Sequence, residues 1–178
     1  MIKPASPLLR EIIKLSLLFL MGGMIYFAIE VAFKGDSHWS MFIVGGMAFL
    51  LIGGINNYFD YDMPLVWQML CSAVIITFLE LASGLIVNVW LDLNVWDYSS
   101  IPLNFMGQIC PRFFLIWYFL SLPGIFLDDF FRYRMFGEEK PRYVLLRRRE
   151  RSYVPRAAML FALQKQEADA EQTVKERA

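Results

Sequence analysis

The sequence predicts an all-α polytopic membrane protein: a bundle of four transmembrane helices followed by a basic cytoplasmic tail that contains an amphipathic helix. Of the 178 residues, 57% are hydrophobic and only 19% are charged, a balance too apolar for a soluble domain. Four apolar stretches each approach the roughly 20 helical residues that cross about 30 Å of hydrocarbon. Of seventeen Lys and Arg residues, twelve lie after position 130, which places a basic tail behind the apolar domain.

The four predicted helices cover approximately residues 12–33, 41–59, 65–91 and 109–127, and they form a domain over residues 1–131. The first stretch is interpreted as a retained helix because it is too long for a signal peptide and contains Glu30. The third stretch is the longest and is expected to tilt in the bilayer. Residues 132–178 form the predicted tail, in which a helix over residues 155–175 begins at Pro155, an acceptable first helical residue.

The distribution of Lys and Arg predicts the orientation in a cell membrane. Basic residues flank the first helix and follow the fourth, whereas the loop over residues 92–108 contains none. Because basic residues stay inside, we expect both termini in the cytoplasm and residues 34–40 and 92–108 outside. The basic tail is expected to contact the anionic head groups of membrane lipids. Docking of a cytoplasmic partner on that tail stays open as an alternative, and nucleic-acid binding is not expected.

Glu80 is the most informative residue of the predicted bundle. Near the middle of a span, an ionisable side chain costs at least about 2.5–3.5 kcal/mol, so it is expected to face the interior or a wet cavity. Thr77 and Asn88 share its side of the helix, together with the small residues Ala73 and Gly84. The functional interpretation is a proton- or cation-binding group with Thr77 and Asn88 along the same path. The alternative is an interhelical hydrogen-bond former, and the sequence favours neither.

Two further groups of residues suggest contacts between helices. Glu30 and Arg112 lie at similar depth near the outer ends of the first and fourth helices, so we expect them to pair. An anion-binding role for Arg112 is the alternative. Gly46 and Gly53 share a face of the second helix with Asn57, which favours close packing. That face is also the candidate contact of a homodimer.

Several classes of activity lack their sequence signals. One histidine, His38, and two separate cysteines make no typical zinc site, so no metal or other cofactor is expected. The sequence contains no G-x-x-x-x-G-K-[ST] loop, and the chain is therefore not itself an ATPase. We expect no enzymatic activity, because the neighbourhood of His38, Asp97 and Ser99 has no nucleophile–base spacing.

Three strings carry a family resemblance over roughly residues 17–131: SHWSMFIVGGMAFLLIGGINNYF, LELASGLIVNVWLDLNVWDYSSIPLNFMGQIC and LIWYFLSLPGIFLDD. They resemble a family of small bacterial membrane proteins labelled "putative ABC-transporter type IV", which is similar to a branch of vertebrate four-helix transmembrane proteins. The resemblance implies a permease-like component. Such a component would work with a separate ATPase chain or another membrane subunit.

The most distinctive motifs fall in the predicted outer loops, at residues 38–41, 96–99 and 104–110, and in the third helix at residues 80–88. The functional interpretation is that the loop residues converge on one external vestibule above Glu80: His38, Trp39, Trp96, Asp97, Tyr98 and Asn104. The alternative is that Asp97 and Asn104 only form turns while the Trp residues anchor the interface. For Trp39 and Trp96 we favour the interface role, and for Asp97 with His38 the sequence favours neither. The leading hypothesis is a transport component that handles a small solute, ion or lipid. The alternative is a non-transporting scaffold or regulatory subunit of a larger complex.

Overall fold

The computed structural model of the protein describes residues 6–59 and 63–145. Within these ranges it confirms the predicted fold class, with four helices long and apolar enough to cross a membrane and no strand. The helices are α1 (Pro7–Lys34), α2 (Trp39–Phe59), α3 (Leu65–Gly84) and α4 (Pro111–Phe136). A π-helical segment, Leu85–Trp90, extends α3.

Local sequence explains where α1 and α4 begin and end. The Ser6 hydroxyl accepts the Leu9 N–H at 3.3 Å, and a proline follows as the first residue of α1, a combination typical of helix starts. Gly35 (φ 88°) and Gly137 (φ 69°) end α1 and α4 in the left-handed conformation that glycine adopts without strain.

The fourth helix is longer than the sequence indicates. It continues to Phe136 instead of ending near residue 127, so Asp128 and Asp129 lie inside it. The division of the chain after residue 131 stays a prediction, and the predicted helix over residues 155–175 lies outside the described residues.

The helices form a bundle with two distinct ends. The loop end carries the short α1–α2 connection and the long loop of residues 91–110, and the terminal end carries the start of α1 and the end of α4. α1 packs chiefly against α2, and α3 packs against α4. Since α2 also contacts α3 and α4, it joins the two hairpins into one bundle.

Paired glycines bring the backbones of α1 and α2 close together. A Cβ atom on Gly23 would lie 2.7 Å from the Phe42 carbonyl oxygen, and one on Gly46 would lie 2.7 Å from the Phe19 carbonyl oxygen. No side chain fits in such a gap, so only glycine permits this approach. The first glycine of each pair lies against an aromatic side chain of the other helix: Gly22 against Phe49, and Gly45 against Tyr26. A Cβ atom on either glycine would overlap that side chain.

The glycine face of α2 is therefore covered by helices of the same chain. Gly46 lies against α1, and a Cβ atom on Gly53 would overlap the carboxylate of Asp128 in α4. The expectation that this face forms a homodimer contact is wrong, because these intrachain contacts already occupy it.

Candidate functional site

Glu80 lies inside the bundle, with 6% of its surface exposed. Its Oε1 atom accepts a hydrogen bond from the Tyr98 hydroxyl at 2.8 Å, and its Oε2 atom accepts one from Trp117 Nε1 at 3.0 Å. One donor comes from the long loop and the other from α4. The carboxyl group thus joins three parts of the chain that are distant in sequence.

The chemistry of the two donors determines where a proton can reside. An indole N–H only donates, whereas a phenol hydroxyl can donate or accept. A proton on Glu80 must therefore sit on Oε1, where the Tyr98 oxygen can accept it. Burial, and next the negative charge of Glu80, raise the pKa of the Tyr98 phenol, so that hydroxyl keeps its own proton near neutral pH. The same three side chains accommodate Glu80 with or without its proton.

A cavity of ≈ 120 Å³ lies beside Glu80, and all four helices contribute to its walls. Glu80 is the single acidic residue among the described residues that line it. Most of the lining is aliphatic or aromatic, and the aromatic part consists of Tyr26, Phe49, Trp96 and Trp117. The site is therefore an apolar chamber with one carboxyl group in its wall, as is typical of small-molecule sites.

Asn88 holds the long loop that delivers Tyr98 to Glu80. Its Nδ2 donates to the Trp96 carbonyl at 3.0 Å and to Gln108 Oε1 at 2.8 Å, while its Oδ1 accepts the Val95 N–H at 2.7 Å. Trp96 is buried and its indole N–H donates to the Gln108 carbonyl at 3.2 Å. These bonds fasten the loop to the end of α3.

Ring contacts continue from the loop across the bundle. The Tyr98 ring stacks on Phe113 of α4 at 4.3 Å between centroids, with 11° between the planes. Phe113 lies 6.2 Å from Trp117, and Trp117 lies 6.1 Å from Tyr26 of α1. Aromatic packing of this kind positions rings at low entropic cost, and here it orients both donors to Glu80.

The match to a protein family covers this whole site. The family described as "Putative ABC-transporter type IV" matches residues 17–135. The chain belongs to this family. The finding confirms the resemblance that the sequence motifs indicate. In this family member the matched range includes α2 and α3, most of α1, and α4 up to residue 135. No match was found among curated proteins or among solved structures.

Asp97 and Asn104 of this family member form turns of the long loop. Asp97 Oδ1 accepts both the Ser99 hydroxyl at 2.6 Å and the Ser99 N–H at 2.8 Å, and these bonds lower the pKa of the exposed Asp97 carboxyl. Asn104 donates to the Ile101 carbonyl at 2.8 Å and accepts the Gly107 N–H at 3.0 Å. Neither side chain lines the Glu80 cavity.

The expected pair of Glu30 and Arg112 is wrong. Glu30 is buried, but it accepts hydrogen bonds from Lys34 and, at 2.6 Å, from the Ser37 hydroxyl. Lys34 is one helical turn away and can therefore reach Glu30 along the same face. Arg112 is exposed and makes no ion pair with any residue in the described ranges.

The structure separates the remaining predicted site residues. His38 Nδ1 contacts the Ser40 hydroxyl at 2.8 Å, and His38 borders a second, polar pocket of ≈ 260 Å³ together with Glu30 and Lys34. Of the six loop residues considered for one vestibule, Tyr98 contacts Glu80 and Trp96 lines the cavity beside it. The other four, His38, Trp39, Asp97 and Asn104, do not line that cavity. Thr77 has a buried hydroxyl with no hydrogen-bond partner among the described residues.

A buried charge network at the terminal end escaped the sequence analysis, which interpreted Asp128 and Asp129 as boundary residues. Their exposed fractions are 0% and 1%, and that of Arg132 is 2%. Arg132 pairs with Asp128, and Asn56 donates to both oxygens of Asp129 at 3.0 and 2.9 Å. The spacing of four between Asp128 and Arg132 is the signal that could have indicated the pair.

The segment after α4 folds over this network. Glu138 accepts a hydrogen bond from Lys14 of α1 at 2.7 Å and lies 3.6 Å from Arg132 Nη1. The Tyr143 hydroxyl donates to Asp129 at 2.8 Å, and the Leu65 N–H donates to the Val144 carbonyl at 2.7 Å. Residues 137–145 therefore connect the first turns of α1 and the start of α3 to the end of α4.

Proposed function

We propose that this chain is a membrane transport component that handles a small solute, ion or lipid, with Glu80 as the group that exchanges a proton or cation. The observation that carries the proposal is a single carboxyl group in the wall of a cavity built by all four helices. A glutamine would satisfy the same two contacts, since its oxygen could accept from Trp117 and its amide could donate to Tyr98. Packing therefore does not require an acid here, whereas proton or cation exchange does.

The geometry supports the uptake and release of a proton at Glu80 without a rearrangement of the helices. With a proton, Glu80 donates from Oε1 to the Tyr98 hydroxyl. Without one, it accepts from both Tyr98 and Trp117. Intramembrane acids that face a cavity are typical of proton relays and ion pathways. The loop residue Tyr98 supplies a polar connection from Glu80 towards the loop end.

The proposal also includes the membrane, the orientation and the partner of the protein. We place it in the cell membrane with both termini in the cytoplasm, as the basic flanks indicate. ATP-driven transport would require a separate ATPase chain, because the sequence has no phosphate-binding loop. The family to which the chain belongs is consistent with such a partner.

Proton flux into liposomes tests the proposal directly. The purified protein is reconstituted in liposomes that enclose a pH-sensitive dye, the membrane potential is clamped with potassium and valinomycin, and the external pH is stepped. Wild type should equilibrate faster than protein-free liposomes, and Glu80→Gln should abolish the difference. Glu30→Gln, which alters a buried carboxyl outside the cavity, serves as the matched control. Equal rates for wild type and Glu80→Gln, or for wild type and empty liposomes, contradict the proposal.

The alternative is a non-transporting scaffold or regulatory subunit, in which polar residues of the bundle serve packing and assembly, as they do in the terminal-end network. There, charged side chains of α1, α4 and residues 137–145 are used for contacts within the chain. If Glu80 only joins helices, Glu80→Gln should match wild type in thermal stability and Glu80→Leu should unfold at lower temperature. That result, together with no Glu80-dependent flux, supports the scaffold.

A further inference from the structure

We infer that the cavity beside Glu80 binds an organic cation: a small apolar molecule with one ammonium group, which contacts the Glu80 carboxylate while the apolar part lies among the aromatic side chains. This inference rests on the proposed function for the choice of site. It concerns equilibrium binding, however, and binding can be measured without transport.

Among the residues that the structure describes, no cation pairs with the Glu80 carboxyl group. Both of its hydrogen-bond donors, Tyr98 and Trp117, are neutral. Within residues 6–59 and 63–145, no Lys, Arg or His side chain forms an ion pair with it. Lys34, whose charge acts on Glu80 from a distance, is engaged by Glu30. A buried carboxylate without a cation is unfavourable, and a positively charged ligand would supply the missing partner.

The walls of the cavity select an organic cation over an inorganic one. Metal ions such as Ca²⁺ and Mg²⁺ need about six oxygen ligands, and besides Glu80 the lining supplies few oxygen atoms, those of Tyr26, Ser83 and Ser121 among its side chains. The rings of Tyr26 and Trp117 lie in the same wall, and the face of an aromatic ring attracts an alkylammonium group. The aliphatic remainder of the lining favours an apolar body.

The size of the cavity limits the ligand to about one ring. An apolar protein cavity of about 150 Å³ binds benzene, and this cavity measures ≈ 120 Å³. The probe is therefore the smallest of its kind, a single aromatic ring with a one-carbon ammonium arm. The ammonium would lie at Glu80, and the ring would extend towards Gly124, where a Cβ atom would meet no atom within 4 Å.

Fluorine NMR with three matched probes tests the inference in lipid nanodiscs that contain the full chain. The probes are 4-fluorobenzylammonium, 4-fluorobenzyl alcohol and 4-fluorobenzoate, which share a ring and differ in charge. The ammonium should bind saturably, the alcohol should bind at least about tenfold more weakly because it brings no charge to Glu80, and the benzoate should not bind. Empty nanodiscs correct for partition into lipid. Equal affinity of the ammonium and the alcohol overturns the inference, because an apolar cavity alone would explain it.

Three variants locate the binding. Glu80→Gln should weaken ammonium binding at least about tenfold, since a buried charge pair loses one partner. Gly124→Leu places a side chain in the lining of the cavity at a position where a Cβ atom meets no atom within 4 Å, and it should weaken binding of both the ammonium and the alcohol. Glu30→Gln should leave binding unchanged. Wild-type affinity in Glu80→Gln or Gly124→Leu overturns the inference. If the ammonium fails to bind while Glu80-dependent proton flux persists, the inference is wrong and the proposed function stands. If the ammonium binds but no Glu80-dependent proton flux is found, the inference stands and the proposed function is wrong.

Discussion

At the scale of the residue, the hydrogen-bond partners of single buried polar atoms determine how much a substitution destabilises the protein. Glu80, Trp117 and Tyr98 satisfy one another, whereas the Thr77 hydroxyl nearby has no partner in the part of the chain that the structure describes. Removing one member of a satisfied group costs more than the bond itself contributes, because the other member stays buried and unpaired. The two residue-scale predictions use this asymmetry.

Trp117→Phe should destabilise the protein by about 1–3 kcal/mol, the cost of a buried acceptor that loses its donor. Phenylalanine keeps one six-membered ring but loses the five-membered ring of the buried indole, so lost packing adds to this cost. Trp90→Phe is the matched control, because Trp90 is 78% exposed and should change the stability far less. Thermal unfolding in detergent measures both variants. An equal loss in the two would show that the Trp117 N–H contributes nothing to stability.

Arg132→Met should destabilise the terminal end by about 3–5 kcal/mol, because it leaves a buried carboxylate without its cation. Adding Asp128→Leu to that variant should recover part of the loss, since the remaining charge is then removed as well. Arg134→Met, at an exposed position, provides the control. Chemical unfolding of the single and double variants measures the coupling, and a coupling below about 0.5 kcal/mol would contradict a direct pair.

At the scale of the element, close backbone contact at paired glycines holds α1 against α2, and an aromatic side chain packs over the first glycine of each pair. The repeated spacing of an aromatic residue before two glycines, in Phe19 to Gly23 and in Phe42 to Gly46, places each glycine pair opposite the partner helix. In a lipid environment, close packing of this kind replaces the hydrophobic effect as the main attraction between helices.

Gly46→Ala should destabilise the hairpin by about 1–3 kcal/mol, because the added methyl group overpacks a filled contact. The same change at Gly124, where a Cβ atom meets nothing within 4 Å, should be neutral or stabilise by up to about 1 kcal/mol through helix propensity. Thermal unfolding of the two variants in one detergent compares them directly. A stability gain in both variants would contradict the backbone contact.

At the scale of the whole molecule, the orientation in the bilayer is the main prediction. A single cysteine at Ser100 and one at Ser152, each in a background without Cys71 and Cys110, should react with an impermeant thiol reagent from opposite sides of the membrane. The physical reason is the asymmetry of Lys and Arg between the long loop and the tail. Labelling of both positions from the same side would contradict the predicted orientation.

The sequence by itself determined the fold class and the four apolar helices that the structure describes. A hydrocarbon layer admits only segments that satisfy their own backbone hydrogen bonds, and its thickness sets their length. Both constraints act on local composition, so the four apolar stretches could be assigned without knowledge of their neighbours. The special position of Glu80 was predictable for the same reason, because an acid at mid-span is costly unless it faces the interior or water, and its depth can be read from the sequence.

Only the tertiary structure decided which groups meet. From the sequence we expected Glu30 to pair with Arg112, because both lie at similar depth in the membrane. In the structure Lys34, one turn along the same helix, pairs with Glu30 instead. Glu80 contacts Tyr98 and Trp117, which lie 18 and 37 residues away, and the carboxyls of Asp128 and Asp129 are buried instead of marking a boundary. These contacts depend on how each helix is rotated and on the path of a loop. Both result from packing between distant segments, on which the local pattern of apolar residues carries no information.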